Sequence, residues 1–198
     1  MKNTKEAIVQ VAYDMFLSNN YEAVTVNQII KAAGITKGGL YHYFSSKEEL
    51  FKTVVDRYIM ESKIDIPLEN LKLIDMVNYT IKKVNRHVEC IVASKNYPLN
   101  AIPIQHISLI TEALRYYPDY TNMKIVFFQK RVKDWQQVIE NAIRNNEIKN
   151  DIDIEATTMN FLHAEAGIVA NIILGNSVEY ALNMYKRQLN EMYKCIKI

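Results

Sequence analysis

The chain has 198 residues, 49% of them hydrophobic, and a formal net charge of +2. Such a length suits one or two globular domains with a substantial core. The balanced charge leaves a nucleic-acid partner to be argued from local charge alone. The longest apolar run, residues 166–174, is interrupted by Asn171 and is too short to span a bilayer, so no membrane partner is expected. Cys90 and Cys195 stand apart with no C-x-x-C pair, which sets the expectation of buried thiols in a reducing cytoplasm.

The first helix is predicted over residues 4–17. Ala7/Ile8, Val11/Ala12 and Met15/Phe16 recur at helical spacing, and the internal charges exclude a signal peptide. Asn19-Asn20 follows, a pair that tolerates the left-handed conformation a turn needs. Thr25 and Gln28 form a T-x-x-Q capping box at the start of the second helix. Gly34 supplies the positive φ of the next turn, and Thr36 can cap a third helix. Ser46 and Glu49 make a second capping box at the start of the fourth. This is the layout of a helix-turn-helix, which places a short helix in the DNA major groove. Between residues 23 and 47 there is no Asp or Glu, while Lys31, Lys37, His42 and Lys47 are cationic or titratable. Lysines and hydroxyls of this kind supply phosphate contacts. Lys47 stands at a helix start, where the dipole disfavours a cation, and a phosphate contact would explain it.

The rest of the chain reads as helices. A connecting helix is expected over 47–63, with Pro67 marking a boundary, and a long amphipathic helix over 68–94. Residues 95–103, with two prolines, read as a loop, and 104–116 as a helix stopped by Pro118. Ile125, Phe128, Val132, Trp135, Ile139 and Ala142 give the next stripe. One helix is expected over 153–174, apolar on most sides in its second half. A last stripe comprises Val178, Leu182, Tyr185, Leu189, Met192 and Ile196.

Residues 7–51 resemble the N-terminal DNA-binding domain of the TetR family of bacterial transcriptional regulators. The resemblance is carried, without a gap, by Ala12, Phe16, Tyr21, Thr25, Val26, Ile29, Ala33-Gly34 and Lys37-Gly38. Leu40-Tyr41-His42-Tyr43-Phe44 and Lys47-Glu48-Glu49-Leu50 complete it. It implies an all-α homodimer with two recognition helices and a C-terminal domain that binds a small-molecule effector. Three positions depart from the family pattern. Asn19-Asn20 replaces the usual Gly, Ile30 replaces a small residue, and Gly39 replaces Thr, Ser or Ala, which removes one possible base-reading side chain.

The expected architecture is all-α, with about nine helices. A helix-turn-helix three-helix bundle occupies 1–46, a connecting helix 47–66, and a larger helical effector-binding and dimerisation domain 67–198. DNA contacts are expected from Thr25, Asn27, Thr36, Lys37, Gly38, Gly39, Tyr41, His42 and Lys47. Asn78, Asn85, His87, His106, Phe128, Trp135 and His163 are candidates for a ligand cavity. The histidines lie on different predicted helices without H-x-x-x-H spacing, so hydrogen-bonded histidines are expected rather than a metal site. Ala164, Gly167, Asn171, Leu182, Tyr185 and Leu189 are candidates for a dimer seam in a four-helix bundle shared by two subunits. The alternative is that these stripes only fill the core of one chain.

No G-x-S-x-G, P-loop, dinucleotide fingerprint or H-E-x-x-H is present, so neither an enzyme nor a cofactor is expected. The expected function is a sequence-specific regulator, a repressor released from a palindromic double-stranded operator by its effector. The competing class is a regulator or architectural DNA-binding protein without an effector, against which the long second domain argues.

Overall fold

The structure, a computed structural model, describes residues 4–59, 64–92 and 102–198. Among them are ten α-helices and no strand; one isolated antiparallel bridge pairs Ile148 with Lys197. The chain groups into two compact units, Met1–Ser62 with Ile104–Ile125, and Lys63–Pro103 with Val126–Ile198.

In the first unit, α1 (Thr4–Ser18), α2 (Val26–Ala33), α3 (Lys37–Tyr41) and α4 (Lys47–Tyr58) surround one core. Ile8, Ala12 and Phe16 form the predicted inward stripe of α1 and meet Ile29, Leu40, Phe44, Leu50, Phe51 and Val54, all buried. Phe16 meets Phe51 edge-on at 5.1 Å between ring centroids, a geometry that the ring quadrupoles favour. α6 (Ile102–Tyr116) belongs to this unit, although chain order assigns it to the second domain. The Glu112 carboxylate accepts from the Tyr21 N–H at 2.8 Å, and the Tyr117 hydroxyl donates to Asp56 at 3.0 Å. Pro103, read as loop, lies in the first turn of α6, where a missing N–H costs no helical hydrogen bond. Ile102 likewise belongs to α6, and residues 95–101 of that expected loop lie outside the described residues.

The second unit contains α5 (Leu73–Val92), α8 (Ile154–His163), α9 (Ala166–Ile173), α10 (Val178–Ile196) and most of α7 (Tyr120–Arg144). Its core joins Met76, Val77 and Ile81 of α5 to Trp135, Val138 and Ile139 of α7 and to Phe161, Ile168, Tyr185 and Leu189. Trp135 stacks on Phe161 at 4.8 Å and 14°.

Three expectations are corrected here. α5 starts at Leu73 rather than near 68, because Asn70 takes φ +61°, and a left-handed residue cannot continue a right-handed helix. Ile125 and Phe128 are exposed, so the buried stripe of α7 starts later, at Val132 and Trp135. The helix expected over 153–174 is two helices. Gly167 N–H donates to Ala164 O and Ile168 N–H to Glu165 O, both at 3.1 Å, so the chain tightens into three-residue turns at the join. There the Glu165 carboxylate pairs with the Arg131 guanidinium at 2.7 Å.

The start of α5 shows how a distant residue completes an element. The first N–H groups of a helix have no partner within it. Here the Glu147 carboxylate accepts from the Leu73 and Ile74 N–H groups, at 3.0 and 3.1 Å. It also accepts from the Tyr193 hydroxyl at 3.1 Å, tying α5 to α10. Glu147→Ala removes both carboxylate oxygens, and with them all three hydrogen bonds, at a half-buried place. It is expected to lower unfolding stability by about 1–3 kcal/mol, read in urea as a lower midpoint with an unchanged slope. An unchanged midpoint would show that water replaces the carboxylate at no cost.

Candidate DNA-binding site

The helix-turn-helix is assembled by short-range bonds. The Thr25 hydroxyl accepts from Gln28 N–H at 3.3 Å, and the Gln28 side chain accepts from Thr25 N–H at 2.7 Å, closing the capping box. Gly34 takes φ +64° and sends its N–H to Ile30 O and Lys31 O, the left-handed termination that glycine makes without strain. The Thr36 hydroxyl accepts from Gly39 N–H at 3.1 Å and starts α3. Leu40 and Phe44 are both buried and anchor α3 to the core.

Around this anchor the opposite face is open. Asn27, Thr36, Lys37, Gly38, Tyr41 and His42 are exposed, and Lys31 joins them from α2. His42 meets Tyr43 edge-on at 4.8 Å. Lys31 and Lys37 enter no ion pair among the described residues, so their charge is available to a polyanion. Two candidates are partly committed. The Thr25 hydroxyl proton goes to Gln28 Oε1 at 2.8 Å, which leaves that side chain little to offer DNA. A Cβ on Gly39 would lie 3.3 Å from Thr36 Oγ1, so this glycine protects the α3 cap as well as keeping the face open.

Lys47 has a partner that sequence reasoning did not foresee. Its Nζ lies 4.1 Å from the centroid of the Tyr21 ring. Burial pushes its pKa below the ordinary lysine value, against the pull of Glu48, Glu22 and Glu112. The cation–π contact and the carboxylates stabilise a cation at this helix start, where the dipole alone would disfavour one.

Of the ligand candidates, Asn78 is exposed, and Asn85 and His87 are half-buried on α5, while His106 lies on α6 in the other compact unit. Trp135 is fully buried against Phe161. Phe128 and His163 stack at 6.3 Å and 10°, both at the surface. None of the seven lines the cleft of about 340 Å³ between α8 and α10, which is bordered by Thr157, Asn160, Gln188, Glu191 and Cys195. Cys195 is exposed, contrary to the expectation of a buried thiol. In the second unit two buried hydroxyls have no hydrogen-bond partner among the described residues: Thr158 on α8, which sequence reasoning passed over, and Tyr185 on α10, which it placed in the dimer seam. Tyr185 has its hydroxyl pKa raised by burial and by nearby Glu165. The only signal for them in the sequence is a polar group on an otherwise apolar helix face. Among the described residues no group of three His, Cys, Asp or Glu converges as metal ligands would, and no helix is long and apolar enough to cross a membrane.

The expected dimer seam is also revised. Leu189 is 0% exposed, and Tyr185 and Ala164 are buried within the single chain, so these three face its own core. Leu182 packs against the same core. The Asn171 side chain donates to Gly167 O at 2.8 Å and accepts from Asn176 at 3.2 Å, closing the end of α9. Gly167 is half-buried beside Gln188. The apolar side chains left outside are Val169, Ile173 (58% exposed) and Leu174 (80%) on α9, and Tyr180 on α10. The stripe on α10 thus packs against the core of its own chain.

Comparison with known proteins agrees with this geometry. The family described as "Bacterial regulatory proteins, tetR family" matches residues 8–54. The HTH-type transcriptional regulator QacR of Staphylococcus aureus is 41% identical over 61 residues, 31% of each chain. The HTH-type transcriptional repressor KstR2 of Mycolicibacterium smegmatis is 22% identical over 160 residues, 76% of this chain and 70% of that one. In fold, GusR of Salmonella enterica superposes with a TM-score of 0.59 at 22% identity, covering 97% of this chain and 96% of its own. The helix-turn-helix with its open, acid-free face thus matches the DNA-binding domain of the tetR family of bacterial regulatory proteins over residues 8–54, on a helical chain that shares its fold with GusR.

Proposed function

We propose that the chain acts as a homodimeric repressor, released from a palindromic operator by a small-molecule effector. The observation that carries the DNA reading is the exposed, acid-free face formed by Asn27, Thr36, Lys37, Gly38, Tyr41 and His42. In this reading α3 enters the major groove. Lys37, Thr36, His42 and Asn27 reach base edges, Tyr41 and Lys47 meet phosphates, and Gly38 and Gly39 let the backbone approach closely. Thr25 serves mainly as the cap that holds α2. A dimer places two such helices about one helical turn apart, ~34–36 Å, or at a longer spacing if the dimer is wide. That the similar protein KstR2 is a repressor supports the direction of regulation.

The effector is proposed to bind among the helices of the second unit, with α4 moving as the lever. The buried Thr158 and Tyr185 hydroxyls support this, because buried polar groups ordinarily have partners and a polar ligand would provide them. To act as a switch the ligand must favour the non-binding state; about 1–3 kcal/mol is typical of such coupling. A ligand screen by thermal shift, followed by release from operator DNA, tests this directly.

The dimer is proposed to form through the outer face of α9. Ala166, Val169, Ala170 and Ile173 recur at helical spacing on that face, and all are exposed in the single chain. A contiguous apolar face of this kind marks an interaction surface, and small residues let a partner helix approach closely.

Two outcomes are expected. Lys37→Ala should relax preference at one or two positions per half-site, by about 1–3 kcal/mol if Lys37 contacts a guanine. Binding-site selection that returns the wild-type motif at undiminished information content would remove Lys37 from the reading surface. Ile173→Glu alters a side chain outside the core, so helicity by circular dichroism should persist while sedimentation velocity shows a monomer, with operator binding lost. A mutant that remains a tight dimer would place the seam elsewhere.

A further inference from the structure

The first unit contains a cluster that the DNA reading does not use. Tyr21, in the turn after α1, is buried with its ring 4.7 Å from that of Phe51. Tyr116 of α6 stacks on it at 4.6 Å and 28°. The Tyr21 N–H donates to Glu112 Oε2 at 2.8 Å, and its hydroxyl donates to Glu48 Oε1 at 3.1 Å. The Tyr116 hydroxyl donates to the Glu22 carboxylate. Lys47 Nζ rests over the same Tyr21 ring at 4.1 Å. The charged groups acting on Lys47 are therefore Glu48, its neighbour on α4, Glu22 in the turn, and Glu112 on α6.

A lysine in this setting is held by the aromatic face and offset by carboxylates. A phosphate that approaches it must compete with them, since counterion release yields most from a cation not already paired. All three carboxylates are fixed by bonds to the Tyr21–Tyr116 pair rather than by Lys47 itself, so they stay in place as DNA approaches; Glu112 and Glu22 are the two that lie outside α4.

We propose that Glu112 of α6, assisted by Glu22, is a positioning residue that retains Lys47 on the Tyr21 ring and lowers the affinity of the helix-turn-helix for DNA. The inference rests on the reading of Lys47 as a phosphate contact. It makes α6 a direct participant in setting DNA affinity, through one charge.

The test is a double-mutant cycle on the full chain. Glu112→Gln keeps an acceptor for the Tyr21 N–H and removes only the charge; Glu22→Gln does the same for the Tyr116 hydroxyl and sits at the surface. Binding of a fluorescein-labelled duplex of random sequence is followed by anisotropy over a salt series. Each variant should bind roughly two- to fivefold more tightly at low salt, the range of one partly exposed charge pair, with a steeper salt slope. In a Lys47→Ala background the gain should disappear. An equal gain with and without Lys47 overturns the proposal, because the carboxylates would then act on DNA directly; so does the absence of any gain from both variants. If Lys47→Ala binds as wild type with an unchanged slope, Lys47 is no phosphate contact and the proposal falls, while DNA binding by the wild type keeps the regulator reading intact. A wild type that does not bind the duplex or any operator overturns both.

Discussion

Five residues of helix cannot sustain themselves in water, because nucleating a helix costs more than a single turn returns, and α3 is five residues long with glycine at two of them. Each glycine disfavours a helix by about 1 kcal/mol relative to alanine, less at a helix start. Against this stand the burial of Leu40 and Phe44, each worth about 1.5–3 kcal/mol, and the Thr36 cap, worth about 1 kcal/mol. Packing wins. The DNA-reading surface therefore exists only while the core beneath it, built from Phe16, Phe51 and Val54, stays closed. The helix α3 behaves as an extension of that core.

What the sequence discloses follows from how far each bond reaches. The capping box at Thr25 and the cap at Ser46 join residues three apart, although the Glu49 carboxylate turns back to the Ser45 N–H and hydroxyl rather than closing the expected second box, and Gly34 ends α2 by bonds to the preceding turn. Local chemistry of this kind leaves a local signature, so the helix-turn-helix was readable residue by residue. Glu147 caps α5 from 74 residues away, and Glu112 meets the Tyr21 N–H across 91. No periodicity announces such pairs. The ring beneath Lys47 escapes a sequence reading for the same reason: the charge and its place in the helix are evident, but Tyr21 belongs to another segment.

The helical stripes illustrate a different limit. Spacing says which face of a helix is apolar, not what covers it. On α10 the predicted stripe is real, and its own chain covers it, with Leu189 and Tyr185 inside. On α9 nearly every residue is apolar, so one face can be buried at Ile168 and Ile172 while Val169, Ile173 and Leu174 remain outside. A helix of that composition carries no stripe to read, and only the fold separates its inner face from its outer one. The ligand candidates scattered on similar grounds. A polar residue at the edge of a stripe is equally compatible with solvent, as at Asn78, and with a buried site. Thr158 and Tyr185 do lie inside, without hydrogen-bond partners among the described residues, where a helix pattern reads them only as part of a packing face.

Charge completes the picture, because only its local arrangement is felt at the DNA surface. Screening limits an exposed charge to about 8–10 Å at physiological salt, so a net charge of +2 over 198 residues says little to an approaching phosphate. What the phosphate meets is a stretch from residue 23 to residue 47 without a carboxylate, bounded by Glu22 on one side and by Glu48 and Glu49 on the other. These bordering acids are not idle. Hydrogen bonds from its own backbone N–H, from Ser46 and from Tyr21 hold the Glu48 pKa below the ordinary range, and bonds from the Ser45 hydroxyl and N–H do the same for Glu49. Groups held in this way stay ionised well into mild acid, since a carboxylate with a depressed pKa gives up its charge only as pH falls through that lowered value. The helix caps that build the DNA-binding face thus also fix the negative charge at its edge, and the same few residues set both its shape and its electrostatic boundary.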